Sequence, residues 1–265
     1  MGAVINTLAF PVPQLPPQYY EEDLLSRSDL VWLHTVEDER IPAVHVKSGG
    51  RNSHVLLYSH GNAEDMGLQL DFLDELSYKT GADVFAYEYV GYSTSRHEGC
   101  EPSEAGCYRS IDAAWKYLVD ELRIPPSRII IFGRSIGSGP AVDLAARSQV
   151  NGTSASPLNV SGVILQSPLE SGARAVLGWT ISIAGYFLDP FKNYDKIARI
   201  RCPVAIVHGT ADEVVPCQNG RNLHSILKDP FEPLWLEGFG HNNMPHEDVM
   251  HYVKKFVQYC QQRSH

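Results

Sequence analysis

One rhythm constrains this chain more than any other feature. From residue 54 onward, short apolar runs alternate with segments of helical period. The runs are 54–59 (His-Val-Leu-Leu-Tyr-Ser), 83–87, 128–132, 162–166, 203–207 and 233–236. Helical patterns lie between them at 66–78 (Leu68, Leu70, Phe72, Leu73 and Leu76), around Ile111, Ala114, Trp115 and Leu118, at 136–146, near 220–227 and at 248–259. Strands that read as continuous apolar runs are buried on both faces, and helices between them supply the cover. The predicted core is therefore a mostly parallel central sheet with helices on both faces. Upstream, residues 30–36 and 41–46 alternate and read as an antiparallel pair. Residues 1–20 carry Pro11, Pro13, Pro16 and Pro17 with no helical period, and read as an extended N-terminal arm. The stretch 148–157, rich in Ser, Asn and Gly, is read as a surface loop, because the alternation resumes beyond it. Residues 21–265 are then a single α/β domain.

Composition narrows the function. Lys and Arg number 22 against 31 Asp and Glu, a net charge of −9. That balance disfavours a nucleic-acid partner, which would require clustered cations. No run reaches the roughly 18 apolar residues of a membrane span; the uncharged stretch 175–188 is interrupted by Gly178 and Gly185. The five cysteines form no CxxC pair, and no secretory n-region and h-region opens the chain, so a reducing, cytoplasmic setting is expected. The eleven histidines never fall at HxH or HExxH spacing. Neither a metal nor a cofactor is called for.

The residues that carry chemistry are Gly133-Arg134-Ser135-Ile136-Gly137, where a predicted strand meets a helix. A serine on such a turn needs small neighbours, stands clear of the backbone, and has helix N-terminal N–H groups beside it. Ser135 is the candidate nucleophile. Its acid and base are expected after later strands, in the order Ser, Asp, His: Asp212 follows the run 203–207 and His241 follows 233–236. Glu213 and His246 are the nearest competitors. Glu213 is read as already part of the next segment, and His246 as lying at the start of the terminal helix. The oxyanion hole is expected from the N–H of Ile136 and from Asn62 in the loop after the first parallel strand. His60 and His208, each before a glycine, are read as structural, and Asp65 as a helix N-cap.

Several blocks together resemble one family: Tyr58-Ser59-His60-Gly61-Asn62-Ala63, Tyr87-Glu88-Tyr89-Val90-Gly91-Tyr92, Phe132 to Pro140, Gln166-Ser167-Pro168-Leu169 and His208 to Val214. They are similar to α/β-hydrolases of the ABHD17 (formerly FAM108) type, over nearly the whole chain. The resemblance implies an α/β-hydrolase fold with a short cap at about 169–200. It also implies hydrolysis of thioesters linking palmitate to protein cysteines, with Ser135, Asp212 and His241 as the catalytic residues. Animal members carry an acylated N-terminal cysteine cluster; here the first cysteine is Cys100, and Cys260 near the other end is a conceivable acylation site. Ser93 stands where the family pattern has glycine, and 96–100 reads as a small insertion.

The expected partner is an acylated protein or lipid-like ester. Peripheral membrane contact and oligomeric state are left open. Within 175–188, Trp179, Ile183 and Phe187 are expected to line an acyl-binding wall, with an ordinary core helix as the alternative. A small-molecule or lipid carboxylesterase and a non-catalytic binding module on the same fold are the competing functions.

Overall fold

In the computed structural model, the described residues are 10–263 except 11, 14, 51–53, 63, 98, 148–157 and 178–188. Eight strands form one sheet: β1 (Leu30–His34), β2 (Arg40–Val46), β3 (Val55–Ser59), β4 (Asp83–Tyr87), β5 (Ile129–Arg134), β6 (Gly162–Gln166), β7 (Val204–Gly209) and β8 (Leu234–Leu236). Their order is β1-β2-β4-β3-β5-β6-β7-β8. β1 and β2 form the expected antiparallel pair, with Trp32 opposite Pro42, and β2 runs antiparallel to β4. Every later pairing is parallel. This is the α/β-hydrolase fold.

The fully buried strands show why the runs contain no polar alternation. Leu56, Tyr58, Ile130, Phe132 and Ile164 pack on one face, against Leu70, Leu73 and Leu76 of α1 (Leu70–Thr80) and Met250, Val253 and Val257 of the terminal helix. Leu57, Ile129, Ile131, Val163 and Ile206 face the other way, towards α2 (Glu104–Lys116), α3 (Ser138–Ala146) and α4 (Gln218–Ser225). The terminal helix, α5, spans His246–Arg263 and extends beyond the expected 248–259 at both ends.

Asp65 caps the turn before α1 by accepting the N–H of Gly67, as its position before Met66 predicts. The arm is a correction. It is not extended throughout: it turns helical at Pro17–Tyr19 and continues as a π-helical turn, Tyr20–Leu24. Proline opens a helix without losing a bond, and Tyr20 and Leu24, four apart, bury one face of the turn. Packing of those two side chains overrides the local signal of the prolines. Upstream, Phe10 is buried edge-on to Phe191.

Candidate active site

β5 ends at Arg134, and Ser135 opens a short 3-10 turn leading into α3. Ser135 has φ +53°, a left-handed conformation that a non-glycine residue adopts only under constraint. The constraint is visible on both sides. A Cβ at Gly133 would collide with the Gly137 carbonyl and with Ala141; one at Gly137 would collide with the carbonyls of Ser59 and His60 at the end of β3. The two glycines let the turn close against β3, which fixes Ser135 at the carboxyl edge of the sheet.

The loops after β7 and β8 are bonded to each other, Ala211 N–H donating to the Phe239 carbonyl at 2.9 Å, and a Cβ at Gly209 would strike that same carbonyl. This contact sets Asp212 beside His241. Nδ1 of His241 lies 2.7 Å from Asp212 Oδ2, and Nε2 lies 3.0 Å from Ser135 Oγ. All three residues are buried. The N–H groups of Val214 and Val215 donate to Asp212 Oδ1 at 3.0 and 2.7 Å, and His208 Nε2 lies 3.2 Å from Oδ2. Burial alone would raise the Asp212 carboxyl. The bonds from His208, His241 and Val215 outweigh it and hold the group well below the usual carboxylate range. Asp212 is thereby ionised and oriented.

The competitors have other duties. Glu213 has not moved on into the next segment; its Oε2 accepts the N–H of His241 at 3.4 Å, supporting the histidine loop from behind. His246 heads α5 and pairs with Glu75 at 2.9 Å. His208 reaches the acid as well as the Val215 carbonyl, a partnership with Asp212 that its position before a glycine does not announce.

Ile136 follows Ser135 directly in the turn. Asn62 sits in the loop after β3, its side-chain oxygen accepting the Tyr92 hydroxyl at 2.9 Å. Arg134 forms an ion pair with Glu64, and Glu64 Oε2 accepts the N–H of Gly61 at 2.6 Å, so the loop is tied to the strand that delivers Ser135. A cavity of about 290 Å³ opens beside His241. Leu68, Phe72, Met244 and Met250 form its apolar wall, and Arg134 and Gln166 its polar side. Trp179, Ile183 and Phe187 lie outside the described residues. Cys260 is 1% exposed and burial pushes its thiol up to about 12, so it offers no accessible acylation site in this fold.

A serine, a histidine and a carboxylate bonded in series at the carboxyl edge of such a sheet define an α/β hydrolase. No protein-family model matches the chain. It is 39% identical over 224 residues to α/β-hydrolase domain-containing protein 17B of Xenopus tropicalis, covering 84% of this chain and 73% of the relative. It is 34% identical over 241 residues to protein 17C of Mus musculus, covering 91% and 71%. Among solved structures, an α/β hydrolase from Vibrio vulnificus superposes with a TM-score of 0.72 at 19% identity, covering 97% of this chain and 92% of that one. The chain belongs to the α/β-hydrolase domain-containing protein 17 family, and it is a hydrolase. Among the described residues, no helix is long and apolar enough to cross a membrane.

Proposed function

We propose that the protein is a serine hydrolase that cleaves long-chain acyl thioesters or esters, with S-acyl cysteines of proteins as its substrates. The observation that carries the reading is the bonded series Ser135–His241–Asp212. His241 takes the Ser135 proton as Oγ attacks the acyl carbonyl. The N–H groups of Ile136 and Asn62 receive the oxyanion, and His241 then protonates the departing thiolate. Water, deprotonated by His241, attacks the acyl-serine, and as the bond to Oγ breaks His241 gives that proton to Ser135 and the acid is released. The cavity beside His241, with both apolar and polar walls, offers room next to the base for part of the substrate.

The acyl half of the proposal rests on the family resemblance and on the uncharged stretch 175–188. Two measurements test the reading. A fluorophosphonate should label the wild type and leave Ser135→Ala unmodified; labelling of both would exclude Ser135 as the nucleophile. In a series of acetyl to palmitoyl esters and thioesters, kcat/KM should rise with chain length, because each buried methylene contributes about 0.8 kcal/mol. A flat series would leave a carboxylesterase of small substrates. Truncation of Trp179 or Phe187 should lower kcat/KM for palmitoyl and spare acetyl substrates; equal loss on both, with a lower Tm, would return that stretch to the core.

A further inference from the structure

We propose that residues 88–92 form a clamp that positions the loop 60–62 for catalysis, so that Tyr92 and Glu88 set the rate of hydrolysis without touching substrate. The inference rests on the reading of Asn62 as an oxyanion donor, and goes beyond it by naming what holds that donor in place.

The loop is held residue by residue. The Tyr89 hydroxyl donates to the His60 carbonyl at 2.7 Å, His60 Nε2 lies 2.6 Å from Glu88 Oε1, and the Tyr92 hydroxyl donates to Asn62 Oδ1 at 2.9 Å. Glu88 Oε2 also accepts the N–H of Met66 at 3.0 Å, so one carboxylate ties His60 to the start of the turn before α1. Glu88, Tyr89 and Tyr92 are 0% exposed and His60 1%. The geometry of the clamp is itself fixed. Gly91 has φ +85°, and a Cβ there would collide with the backbone of Glu101 and Pro102; the turn brings Tyr92 back so that its N–H meets the Tyr89 carbonyl at 3.0 Å. The second side of the loop is the Gly61–Glu64–Arg134 connection to the serine turn.

Such fixation matters because an oxyanion donor lowers the barrier only when it is already in position as charge develops. The electrostatics add to it. His60 Nδ1 lies 2.9 Å from the Gly61 carbonyl, which can only accept, so that nitrogen carries a hydrogen, while the other nitrogen faces a carboxylate. Burial would strip the proton from His60, but Glu88 and the Gly61 carbonyl outweigh it and favour the imidazolium. The other titratable groups around it are Asp65, bonded to Tyr20, and the phenols of Tyr89 and Tyr92, whose rings lie 4.2 and 5.7 Å from the imidazole. An imidazole whose protonated form Glu88 favours thus lies next to the loop that receives a developing negative charge.

The experiment compares Tyr92→Phe and Glu88→Gln with wild type and Ser135→Ala, using p-nitrophenyl butyrate as substrate and an alkyl trifluoromethyl ketone, which forms a charged hemiketal on the nucleophile, as the oxyanion probe. Tyr92→Phe keeps the ring and removes one hydrogen bond. It should lower kcat by about tenfold, leave KM and Tm near wild type, and weaken the ketone by the same factor. Glu88→Gln should lower kcat further. With its counter-charge gone His60 loses its proton at lower pH than in the wild type, so the fall in kcat with rising pH should begin at lower pH in the variant than in the wild type. Wild-type kcat and ketone affinity in Tyr92→Phe, with Ser135→Ala inactive, would overturn the clamp alone. A Tyr92→Phe loss accompanied by a lower Tm or a raised KM would also overturn it, as plain structural damage. Turnover retained by Ser135→Ala would overturn the site reading together with the clamp.

Discussion

His241 and His60 stand at the same edge of the sheet, each with one ring nitrogen on a buried carboxylate, at 2.7 Å to Asp212 and 2.6 Å to Glu88. The difference lies at the second nitrogen. His241 offers it to the Ser135 hydroxyl, which can hand over a proton; His60 offers it to the Gly61 carbonyl, which has no proton to give and only accepts a hydrogen bond. The same side-chain pair therefore serves as a base in one place and, with both ring nitrogens committed, as a fixed tether in the other. The carboxylates differ too. Each accepts two backbone N–H groups, from Val214 and Val215 at Asp212 and from Met66 and Tyr89 at Glu88, but Glu88 shares its buried surroundings with a second acid, Asp65. A histidine–carboxylate distance says little about role until the partner of the other nitrogen is known.

The comparison breaks most visibly at turnover. Ser135→Ala and His241→Ala should each fold normally and lose on the order of 10⁶-fold in kcat, since the members of such a series act as a unit. That exceeds by far the loss expected at the clamp. Steady-state kinetics on one ester settle the ranking, and retained turnover above about one percent of wild type would reassign the nucleophile or the base.

Asp212→Asn should cost roughly 10⁴ in kcat, because an amide turned towards its donors frees the imidazole to take the wrong tautomer. Glu213→Gln should cost far less: its oxygen supports the backbone N–H of His241, and an amide oxygen can replace it. Reversed losses would mean that the neighbouring acid orients the histidine. The sign of the pH effect on stability is also fixed. The folded Asp212 carboxyl lies below its unfolded value of about 3.9, so its contribution is present above that value and disappears as pH falls through the folded one.

Much of the candidate site's arrangement was legible because it is carried by local signals. A glycine-flanked serine at a strand–helix junction, and an aspartate and a histidine after later strands, each announce themselves in a few residues. Parallel strands were legible for the same reason: full burial leaves an uninterrupted apolar run, and 83–87 and 162–166 match the observed strands end to end. What escaped depends on how the chain turns and packs in three dimensions. Glu88 reads as one acid between two tyrosines, and its partner lies 28 residues upstream. His208 contacts Asp212 only because a tight turn follows β7. The helical turn at Pro17 forms because Tyr20 and Leu24 find a buried surface that composition cannot supply.

The smallest expected effect sets Asp65, the acid beside Glu88, against Asp212 through stability alone. Burial, and then the charge of Glu88, push Asp65 up to about 6, while the hydroxyl of Tyr20 and the N–H of Gly67 oppose the shift without cancelling it. A carboxyl whose folded value lies above its unfolded one disfavours the folded state wherever it must ionise. Here that cost develops between about 3.9 and about 6 and persists above. It has the opposite sign to the contribution of Asp212. Asp65→Asn keeps an oxygen for the Gly67 N–H and removes the charge. The variant should therefore gain in Tm relative to wild type as pH rises from 4 to 8, by a few degrees if about 1 kcal/mol is relieved in a chain of this size. The check is thermal unfolding of both proteins across that range. A difference in Tm that stays constant with pH would show that Asp65 acts only as a cap for the turn before α1, and that the charge beside Glu88 carries no cost.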